Sequence, residues 1–513
     1  MGLRVIFAAF LGCLVVVHGM SKRSNVGDGC RVRSDCGALP SLACLHGDCN
    51  YCLVDADCAD YSSDTSKRCV QRGETTQCMT KGVFAPFSIR DAFTAWLAVV
   101  LTALSAACGL ASTAGFLVPV YVLVLDLTPH FAVPLSEATR FGMALAASWR
   151  HRDEKHPYAS HRPLIDFALA GMMTPATLIG TIFGVLGNLI LPSWIILVLL
   201  MIFLVAVAHT TIVKASKLQY RGALLSHKDK MDRVTPASNA TTELEDFDEY
   251  GRLAIDRDSG PMLRQLALEE SDPWPFRAYI CPLVLAVGVA VIQALLRGGN
   301  GTPSLVGVVC NSKLFWGLLA PPVVLIALMT IAMARKLQWR TVVHESNGAR
   351  GGYIPGDVHW NYLIARVVFP VHCFFAGVAT SLVGLGGGLI HENIMLEYGT
   401  LPDIQTATSA FMLVFISAAN MLQYALAGQF PGEIQYDFMW WYVLLGFVGG
   451  MLGTTILQRW IERSGRLAHI LYIVAGMSIL QAIAMGLSTL ESVLQDDRGV
   501  TLGFSSLCGP THW

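Results

Sequence analysis

The chain has 513 residues, of which 53% are hydrophobic and only 14% are charged, and its formal net charge is −1. An ordinary soluble domain carries about 25% charged residues, so the composition argues against a soluble globular protein. The near-zero net charge does not point to any partner, and we predict no nucleic-acid binding. Repeated apolar runs of about 20 residues instead predict an all-α polytopic membrane protein.

The first 19 residues, "MGLRVIFAAFLGCLVVVHG", have the pattern of a secretory signal peptide. Arg4 supplies the basic start, the apolar core runs from Val5 to Val17, and Gly19 offers a small residue for cleavage. The alternative is an uncleaved first membrane helix, although the apolar run is short for a span.

A cysteine-rich segment follows, over residues 20–85. Such a short segment behind a secretory signal is typical of a module held by disulfides in an extracellular or lumenal compartment. The sequence predicts four disulfides but leaves their pairing open, and a zinc site at Cys49-x-x-Cys52 is the weaker alternative. The eight cysteines are Cys30, Cys36, Cys44, Cys49, Cys52, Cys58, Cys69 and Cys78.

Twelve apolar segments follow, and we predict about 10–12 transmembrane segments. Two of them, 111–127 and 386–400, are marginal in length for a full crossing. The segments are 91–110, 111–127, 131–149, 163–187, 192–213, 277–296, 314–334, 360–384, 386–400, 404–427, 438–457 and 466–488.

Basic residues collect in alternate loops, which the positive-inside rule assigns to the cytoplasm. These loops include Arg150, Lys214, Arg335 and Arg459, whereas the opposite loops offer only Arg297 and Lys313. The cysteine module then lies on the other side, which requires each marginal segment to cross once. The predicted organisation is a membrane repeat at 91–213, a largely disordered cytoplasmic loop at 214–276, connecting helices at 277–334, a second repeat at 360–488 and a lumenal tail at 489–513.

The two repeats match at a constant offset of 273 residues. Gly115 aligns with Gly388, Pro129 with Pro402, and Ser136 with Ser409. Because the first marginal segment runs towards the lumen and the second towards the cytoplasm, the alignment predicts two inverted-topology repeats.

Small residues begin both marginal segments, as "ASTAG" at 111–115 and "GLGGG" at 384–388. In inverted-repeat transporters the substrate lies near the midplane, on helices broken by Gly or Pro, and free N–H groups at a helix start favour an anion. We therefore predict a water-filled pocket between the two breaks. The alternative is that the glycines only allow close helix packing.

The stretches "GLGGGLIHENIMLEYGTLPDIQTATSAFMLVF" and "STAGFLVPVYVLVLDLTPHFAVPLSEATRFG" resemble the two signature repeats of the sulfite exporter TauE/SafE family. The resemblance covers 91–213 and 360–488, and the cysteine module and long loop resemble extended eukaryotic members. It implies a secondary transporter exporting a small anion such as sulfite or a related organosulfur or organic anion, by alternating access. The secretory signal and the cysteine module, for their part, predict an integral membrane protein of the secretory route, in the plasma membrane or an endomembrane compartment.

Arg140 lies in the middle of an apolar helix with Glu137 three residues before it. A lone charge at that depth costs roughly 2.5–3.5 kcal/mol, so it needs a partner. Two interpretations stay open: an internal ion pair that holds the bundle, or an arginine that binds an oxyanion while a neighbour exchanges a proton. The candidate substrate-binding residues are Gly115, Ser136, Thr139, Arg140, Gly386, Gly387, Gly388, Thr408 and Ser409.

Three residues are candidates for proton coupling: Glu137, His391 and Glu392. The pKa of a histidine lies near physiological pH, although His391 could equally lie at the lumenal mouth. The hydroxyls of Ser136, Thr139, Thr408 and Ser409 could instead bond their own helices.

Rival functions fit the sequence less well. The string "HENIM" has Met395 where a zinc-binding helix needs its second histidine, and Leu389 stands where a dinucleotide motif needs glycine. We therefore predict no enzyme, catalytic residue, metal or cofactor. The serious alternative is a membrane receptor or sensor with a disulfide-rich ectodomain, which would give no reason for an inverted repeat.

Overall fold

The protein is described here from a computed structural model. The structure describes residues 26–31, 33–36, 42–59, 67–72, 75–80, 83, 89–107, 114–125, 127–232, 261–298, 304–308, 312–346, 357–358, 360, 364–384, 387–430, 435–464, 472, 475–476, 479–483 and 486. The predicted signal peptide and the predicted lumenal tail lie outside these residues, and so does most of the apolar segment 466–488.

The N-terminal module consists of two short hairpins, β1 (Ala43–Leu45) with β2 (Asp48–Asn50), and β3 (Lys67–Arg72) with β4 (Thr75–Thr80). Each hairpin places two cysteines opposite each other, and each of those cysteines is bonded outside its own hairpin. The predicted four-disulfide module is therefore confirmed, and the zinc alternative at Cys49 and Cys52 is wrong because both thiols are oxidised. The pairs are Cys30–Cys44, Cys36–Cys49, Cys52–Cys69 and Cys58–Cys78.

The rest of the described chain is mainly helical. The helices are α1 (Ile89–Ala107), α2 (Ala114–Val124), α3 (Pro129–His151), α4 (Phe167–Ile190), α5 (Ser193–Asp232), α6 (Pro261–Ser271), α7 (Cys281–Arg297), α8 (Lys313–Gly317), α9 (Ala320–Ser346), α10 (Phe369–Val383), α11 (Gly387–Glu397), α12 (Pro402–Leu426), α13 (Gln435–Leu452) and α14 (Gln458–Ser464). Turns of π-helix at Phe276–Ile280, Ile364–Val368 and Gly453–Leu457 begin α7, begin α10 and join α13 to α14. A hairpin of β5 (Lys155–His156) and β6 (Ala159–Pro163) joins α3 to α4.

Eight helical segments of the described chain are long and apolar enough to cross a membrane, which confirms the helical membrane fold. They are Ile89–Ala107, Phe167–Ile190, Ser193–Val213, Phe276–Arg297, Lys313–Glu345, Arg366–Val383, Pro402–Leu426 and Tyr436–Ile461. The two marginal segments contain only the 11-residue helices α2 and α11, which are roughly 16 Å long at 1.5 Å per residue. That length covers about half of a 30 Å hydrocarbon core.

The helix bounds repeat at the spacing seen in the sequence. The short helices α2 and α11 both have 11 residues and begin 273 residues apart, at Ala114 and Gly387. The helices that follow them begin at Pro129 and Pro402, which are the same distance apart. Proline suits this first helical position because its missing N–H would have no partner there.

Glycines bring helices of the two halves into close contact. A side chain at Gly180 of α4 would collide with the carbonyl oxygen of Phe374 in α10, and one at Gly377 of α10 would collide with that of Thr177. Further along both helices, Asn188 bonds the carbonyl oxygen of Leu382. Because the contacts advance in the same direction on both helices, α4 and α10 are parallel.

A second close contact joins α13 to the first half. Gly446 lies against the main chain of Thr139 in α3, and Gly450, one turn later, lies against Met143. Gly453, in the π-turn after α13, lies against Ala103 of α1. The buried core reflects these contacts, since one cluster joins α1, α2 and α3 to α13 and another joins α10, α11 and α12 to α4. Helix α4, the fourth helix of the first half, therefore packs in the core of the second half. Helix α13, the fourth helix of the second half, packs in the core of the first.

The two proline-initiated helices cross each other in opposite directions. Glu137, early in α3, faces Asn420, late in α12, whereas Ala144 packs with Leu413, seven residues nearer the start of α12. Helices α3 and α12 are therefore antiparallel.

The predicted cytoplasmic loop is more ordered than the sequence analysis expected. Helix α5 continues through the polar stretch to Asp232, and α6 covers Pro261–Ser271. Residues 214–232 contain Lys, Leu, Gln, Arg and Ala, which favour helix even without an apolar face. Residues 233–260 lie outside the described residues.

Candidate functional site

Helix α3 carries a charged pair that is fully buried in the helical bundle. Ser136, Glu137 and Arg140 lie on one face of the helix because they are three or four residues apart, and none of them has exposed surface. Arg140 and Glu137 form an ion pair, which was one of the two interpretations that the sequence left open. The guanidinium Nε and Nη1 of Arg140 find no hydrogen-bond partner among the described residues, so the pair uses only part of its donor capacity.

Helix α12 contributes two polar residues to the same place. The Asn420 side chain faces Glu137, and Tyr424 lies near both charges. We call Ser136, Glu137, Arg140, Asn420 and Tyr424 the central cluster. The sequence analysis missed Asn420 and Tyr424, although two polar residues four apart in an apolar helix are a recognisable signal.

The break after α10 lies beside the central cluster. Gly384 ends that helix with a φ of +72°, a conformation that glycine adopts without steric cost. A Cβ at this position would lie 3.1 Å from Oγ of Ser136 and 3.0 Å from Cγ2 of Val118. The broken end of the second half therefore packs against α2 and α3 of the first half.

Side chains satisfy the carbonyl groups that the break exposes. The hydroxyl of Tyr424 donates to the carbonyl oxygen of Ser381, and Nδ2 of Asn188 donates to that of Leu382 at 2.8 Å. The last carbonyls of a helix have no partner within it, and in a membrane such groups must be satisfied by protein or trapped water. The interruption is thus built into the protein core.

The remaining proton-coupling candidates lie in a second cluster on α11. Nε2 of His391 lies 2.8 Å from Oγ1 of Thr177, halfway along α4. Oγ of Ser409 lies 3.5 Å from Oε1 of Glu392, which is a long and weak contact. His391 is only 1% exposed, so it lies in the interior and not at an open mouth.

The hydroxyl candidates mostly bond their own helices, as the alternative interpretation held. Ser136 donates to the carbonyl oxygen of Val133 at 2.7 Å. Thr139 donates to Leu135 at 2.9 Å and lies 2.8 Å from the Tyr121 hydroxyl.

Thr408 lies apart from the central cluster, and the candidate glycines lie at or before the starts of the two short helices. Oγ1 of Thr408 accepts from the backbone N–H of Asp166 at 3.0 Å, at the start of α4. Gly386 lies outside the described residues, and Gly115, Gly387 and Gly388 are placed only as backbone at the starts of α2 and α11.

The structure contains a cavity of about 70 Å³ in a different place from the predicted pocket. It lies where the β5–β6 hairpin, α6, the end of α9 and the start of α12 meet, all on the predicted cytoplasmic side. The side chains of the central cluster are closed to solvent in this conformation. The charged or titratable residues that line the cavity are His156, Arg162, Asp166, Glu269, Glu270, Asp272, Tyr279, Arg340 and Asp357.

Comparison with known proteins finds similarity to one family. The family model described as sulfite exporter TauE/SafE matches residues 94–311. Three similar relatives, all from Arabidopsis thaliana, are sulfite exporter TauE/SafE family proteins 3, 2 and 1. Each is 24% identical, over 77%, 76% and 82% of this chain and 78%, 81% and 89% of their own length.

No solved structure matches the chain. The family match includes the central pair of α3, and the relatives extend over most of the membrane region. The chain is therefore similar to the sulfite exporter TauE/SafE family over residues 94–311 and to its plant members over most of its length.

Proposed function

We propose that this protein is a secondary transporter that exports a small anion, most simply sulfite or a related organosulfur or organic anion. The family is one of transporters, and its relatives are named for sulfite export.

One observation carries the proposal: a fully buried arginine with two unpartnered donor groups beside a broken helix. Arg140 and Glu137 have no exposed surface, yet Nε and Nη1 of Arg140 lack acceptors among the described residues. A planar guanidinium binds an oxyanion through paired, charge-assisted hydrogen bonds. Glu137 keeps the site neutral when it is empty, and a bound anion takes over part of its role.

Helix directions support alternating access at this site. The equivalent helices α3 and α12 are antiparallel, while α4 and α10 are parallel, which is the arrangement that two inverted repeats would produce. In inverted-repeat transporters one bundle rocks against the other around a fixed midplane site. The closed central cluster then corresponds to an occluded conformation, and transport requires it to open in turn to each side.

Proton coupling is the second part of the proposal. Glu137 lies against Arg140, and His391 and Glu392 lie in the second cluster on α11. A carboxyl or imidazole group inside the membrane is typical of proton relays. The four disulfides fit an oxidising compartment, so we place the N-terminal module on the extracellular or lumenal face of a secretory-route membrane.

Uptake of radiolabelled sulfite into liposomes that contain the purified chain tests the function. We expect saturable flux that is lost in Arg140→Gln and partly retained in Arg140→Lys, because lysine keeps the charge but not the planar fork. Arg297→Gln is the matched control, since Arg297 is also largely buried but lies at the end of α7. Normal flux through the Arg140→Gln protein would refute the role of Arg140.

The same experiment decides between transport and the receptor alternative. A pure receptor would bind its ligand through the disulfide module and show no saturable flux in the wild-type protein. A pH gradient across the liposome gives a further arm: proton coupling predicts that flux follows the gradient and that Glu137→Gln removes this dependence.

A further inference from the structure

The cavity on the predicted cytoplasmic face contains a carboxylate held in an unusual manner. Glu270, near the end of α6, is only 7% exposed at its side chain. One of its oxygens is bound by Arg162 and the other by Arg340. Nε2 of His344 lies 3.3 Å from the same oxygen as Arg340. An oxyanion site is expected to have this arrangement, in which two guanidinium groups bind opposite oxygens of one small anion.

The side chains that bind Glu270 belong to other secondary-structure elements, not to α6. Arg162 lies in β6, and Arg340 and His344 lie in the long helix α9. Arg162 also contacts Asp357 at 3.2 Å, ahead of α10. The site is therefore assembled by the membrane core, while the carboxylate is delivered by a separate helix.

Helix α6 is joined by the chain to α7 and is held against the core by its side chains. It follows residues 233–260 and ends at Ser271, just before the π-turn that begins α7. Its contacts with the core are mainly charged: Glu269 pairs with Lys336, and Glu270 pairs with the two arginines. Leu266 adds a small apolar contact with Val343.

The charge balance of the cavity changes when α6 is removed. With α6 in place, Glu269 and Glu270 offset the basic groups. Without it, Arg162 and Arg340 share the cavity with Asp166, Asp272 and Asp357, but Glu270 no longer bridges the two guanidinium groups. The start of α12 also borders the cavity, and helix starts favour anions. The start of α4 is already capped by the Asp166 carboxylate. The surface beneath α6 thus presents two arginines that lack their shared carboxylate, on the predicted cytoplasmic side from which an exporter collects its anion.

The size of the cavity permits a small ligand. A volume of about 70 Å³ is several times the minimum of roughly 10–15 Å³ that one water needs on this measure. Lifting the Glu270 carboxylate would enlarge it. Nε of Arg162 finds no hydrogen-bond partner among the described residues, so an incoming anion would meet a free donor.

The ionisation of Glu270 agrees with this geometry. Burial opposes its charge, but Arg162 and Arg340 outweigh that effect and hold the pKa of Glu270 well below its usual range. The carboxylate is therefore charged at every physiological pH, and it competes with other anions as an anion.

We propose that Arg162, Arg340 and His344 form a cytoplasmic binding site for a small oxyanion, and that Glu270 of α6 occupies this site as a tethered competitor. At high anion concentration the ligand displaces Glu270, and α6 leaves the vestibule. The identity of the ligand as the exported anion rests on the proposed function. The existence of the site does not, because it can be measured without transport.

The experiment measures the melting temperature of the full-length chain in detergent against increasing sulfite, sulfate or chloride at constant ionic strength. A ligand that binds only the folded state raises the melting temperature in a saturable way. Glu270→Gln removes the competing charge, so we expect half-saturation by sulfite or sulfate at about tenfold lower concentration than in the wild type. Chloride should have no saturable effect, since it cannot bridge two guanidinium forks.

Glu269→Gln is the matched control, because Glu269 contacts Lys336 and not the two arginines. It should respond like the wild type. The double variant Glu270→Gln/Arg340→Gln should lose the gained response. If Glu270→Gln does not give a monodisperse protein, Glu270→Asp provides the test, with a shortened carboxylate that should give an intermediate response.

The outcomes separate this proposal from the export function. An equal anion response in the Glu270→Gln and Glu269→Gln proteins would overturn the site and leave a purely structural ion network. A response gained in Glu270→Gln that persists in Glu270→Gln/Arg140→Gln places the site at the cavity. A response lost with Arg140 would place binding at the central cluster instead and overturn the proposal. Absence of liposome flux with a retained anion response would refute export but support the site.

Discussion

Tyr424 donates its hydroxyl hydrogen to the main-chain carbonyl of Ser381, joining α12 to the last turn of α10 where that helix stops. Both groups are fully buried. The bond satisfies an acceptor that the interrupted helix cannot satisfy itself, and it links the break to the helix that carries Asn420.

Replacing Tyr424 by Phe should therefore destabilise the protein while keeping its packing. The change leaves the Ser381 carbonyl without its donor, which costs roughly 1–3 kcal/mol for a buried group. Thermal unfolding of the purified protein measures the loss. Tyr398→Phe is the control, because Tyr398 is half-buried and packs its ring against Phe369. Equal stability of the two variants would show that water or another group satisfies the carbonyl.

The close contact between α4 and α10 should not tolerate a methyl group. Gly180→Ala would drive its Cβ into the carbonyl oxygen of Phe374, and separating the helices should cost about 1–3 kcal/mol. Gly288→Ala in α7 is the matched control, because nothing lies within 4 Å of a Cβ at that position. The control should be neutral or slightly stabilising, since alanine favours helix. Denaturation of both variants in the same detergent gives the comparison.

The Glu137–Arg140 pair should show strong coupling between its partners. Arg140→Met alone leaves a buried carboxylate unpaired, which costs about 3–5 kcal/mol. Adding Glu137→Gln removes that charge and should restore most of the stability without restoring transport. A double-mutant cycle on unfolding free energies measures the coupling. If the two losses simply add, the pair is not an isolated ion pair in the folded protein.

Acid should destabilise the region around the β5–β6 hairpin through His156. Burial lowers the pKa of His156 from its ordinary value of 6.5 to about 4, with Arg162 and His161 adding to the effect and Asp357 opposing it. Because the folded pKa is lower than the unfolded one, the stabilising contribution is complete above pH 6.5. It is lost as the pH falls from 6.5 towards 4.

His156→Gln should flatten this dependence. The melting temperature of the wild type should fall more steeply than that of the variant between pH 6.5 and 4, and both should be parallel above pH 7. An identical profile in the two proteins would mean that His156 is not the group that titrates.

Much of the architecture could be predicted from the sequence because membrane spans have a strong length and composition signal. The repeat spacing was visible as well, since Pro129 and Pro402 begin equivalent helices. The order of part of the predicted cytoplasmic loop was not foreseen, because α6 is held mainly by Glu269 and Glu270. Charged contacts with partners far along the chain leave no periodic pattern in the sequence.

The candidate site was predicted only in part. Arg140 and Glu137 were found because charge at membrane depth is costly. Asn420 and Tyr424 were missed, since neutral polar residues cost less and are common in such helices. The pairing of the eight cysteines was not predictable either, because it depends on how the two hairpins fold. Sequence analysis finds residues with a high free-energy cost of burial more readily than the neutral polar residues that contact them.

Because α4 packs against α10 of the second half, its partner is synthesised much later than α4 itself. Gly180 leaves the ribosome roughly 200 residues before Gly377, which at about 5–20 residues per second is on the order of 10–40 s. During that interval α4 is inserted without its partner, and its glycine face meets lipid or the insertion machinery. A nascent chain that stops after α5 therefore lacks the helix that covers the glycine face of α4. Folding of the first half is then complete only after the second half has been synthesised.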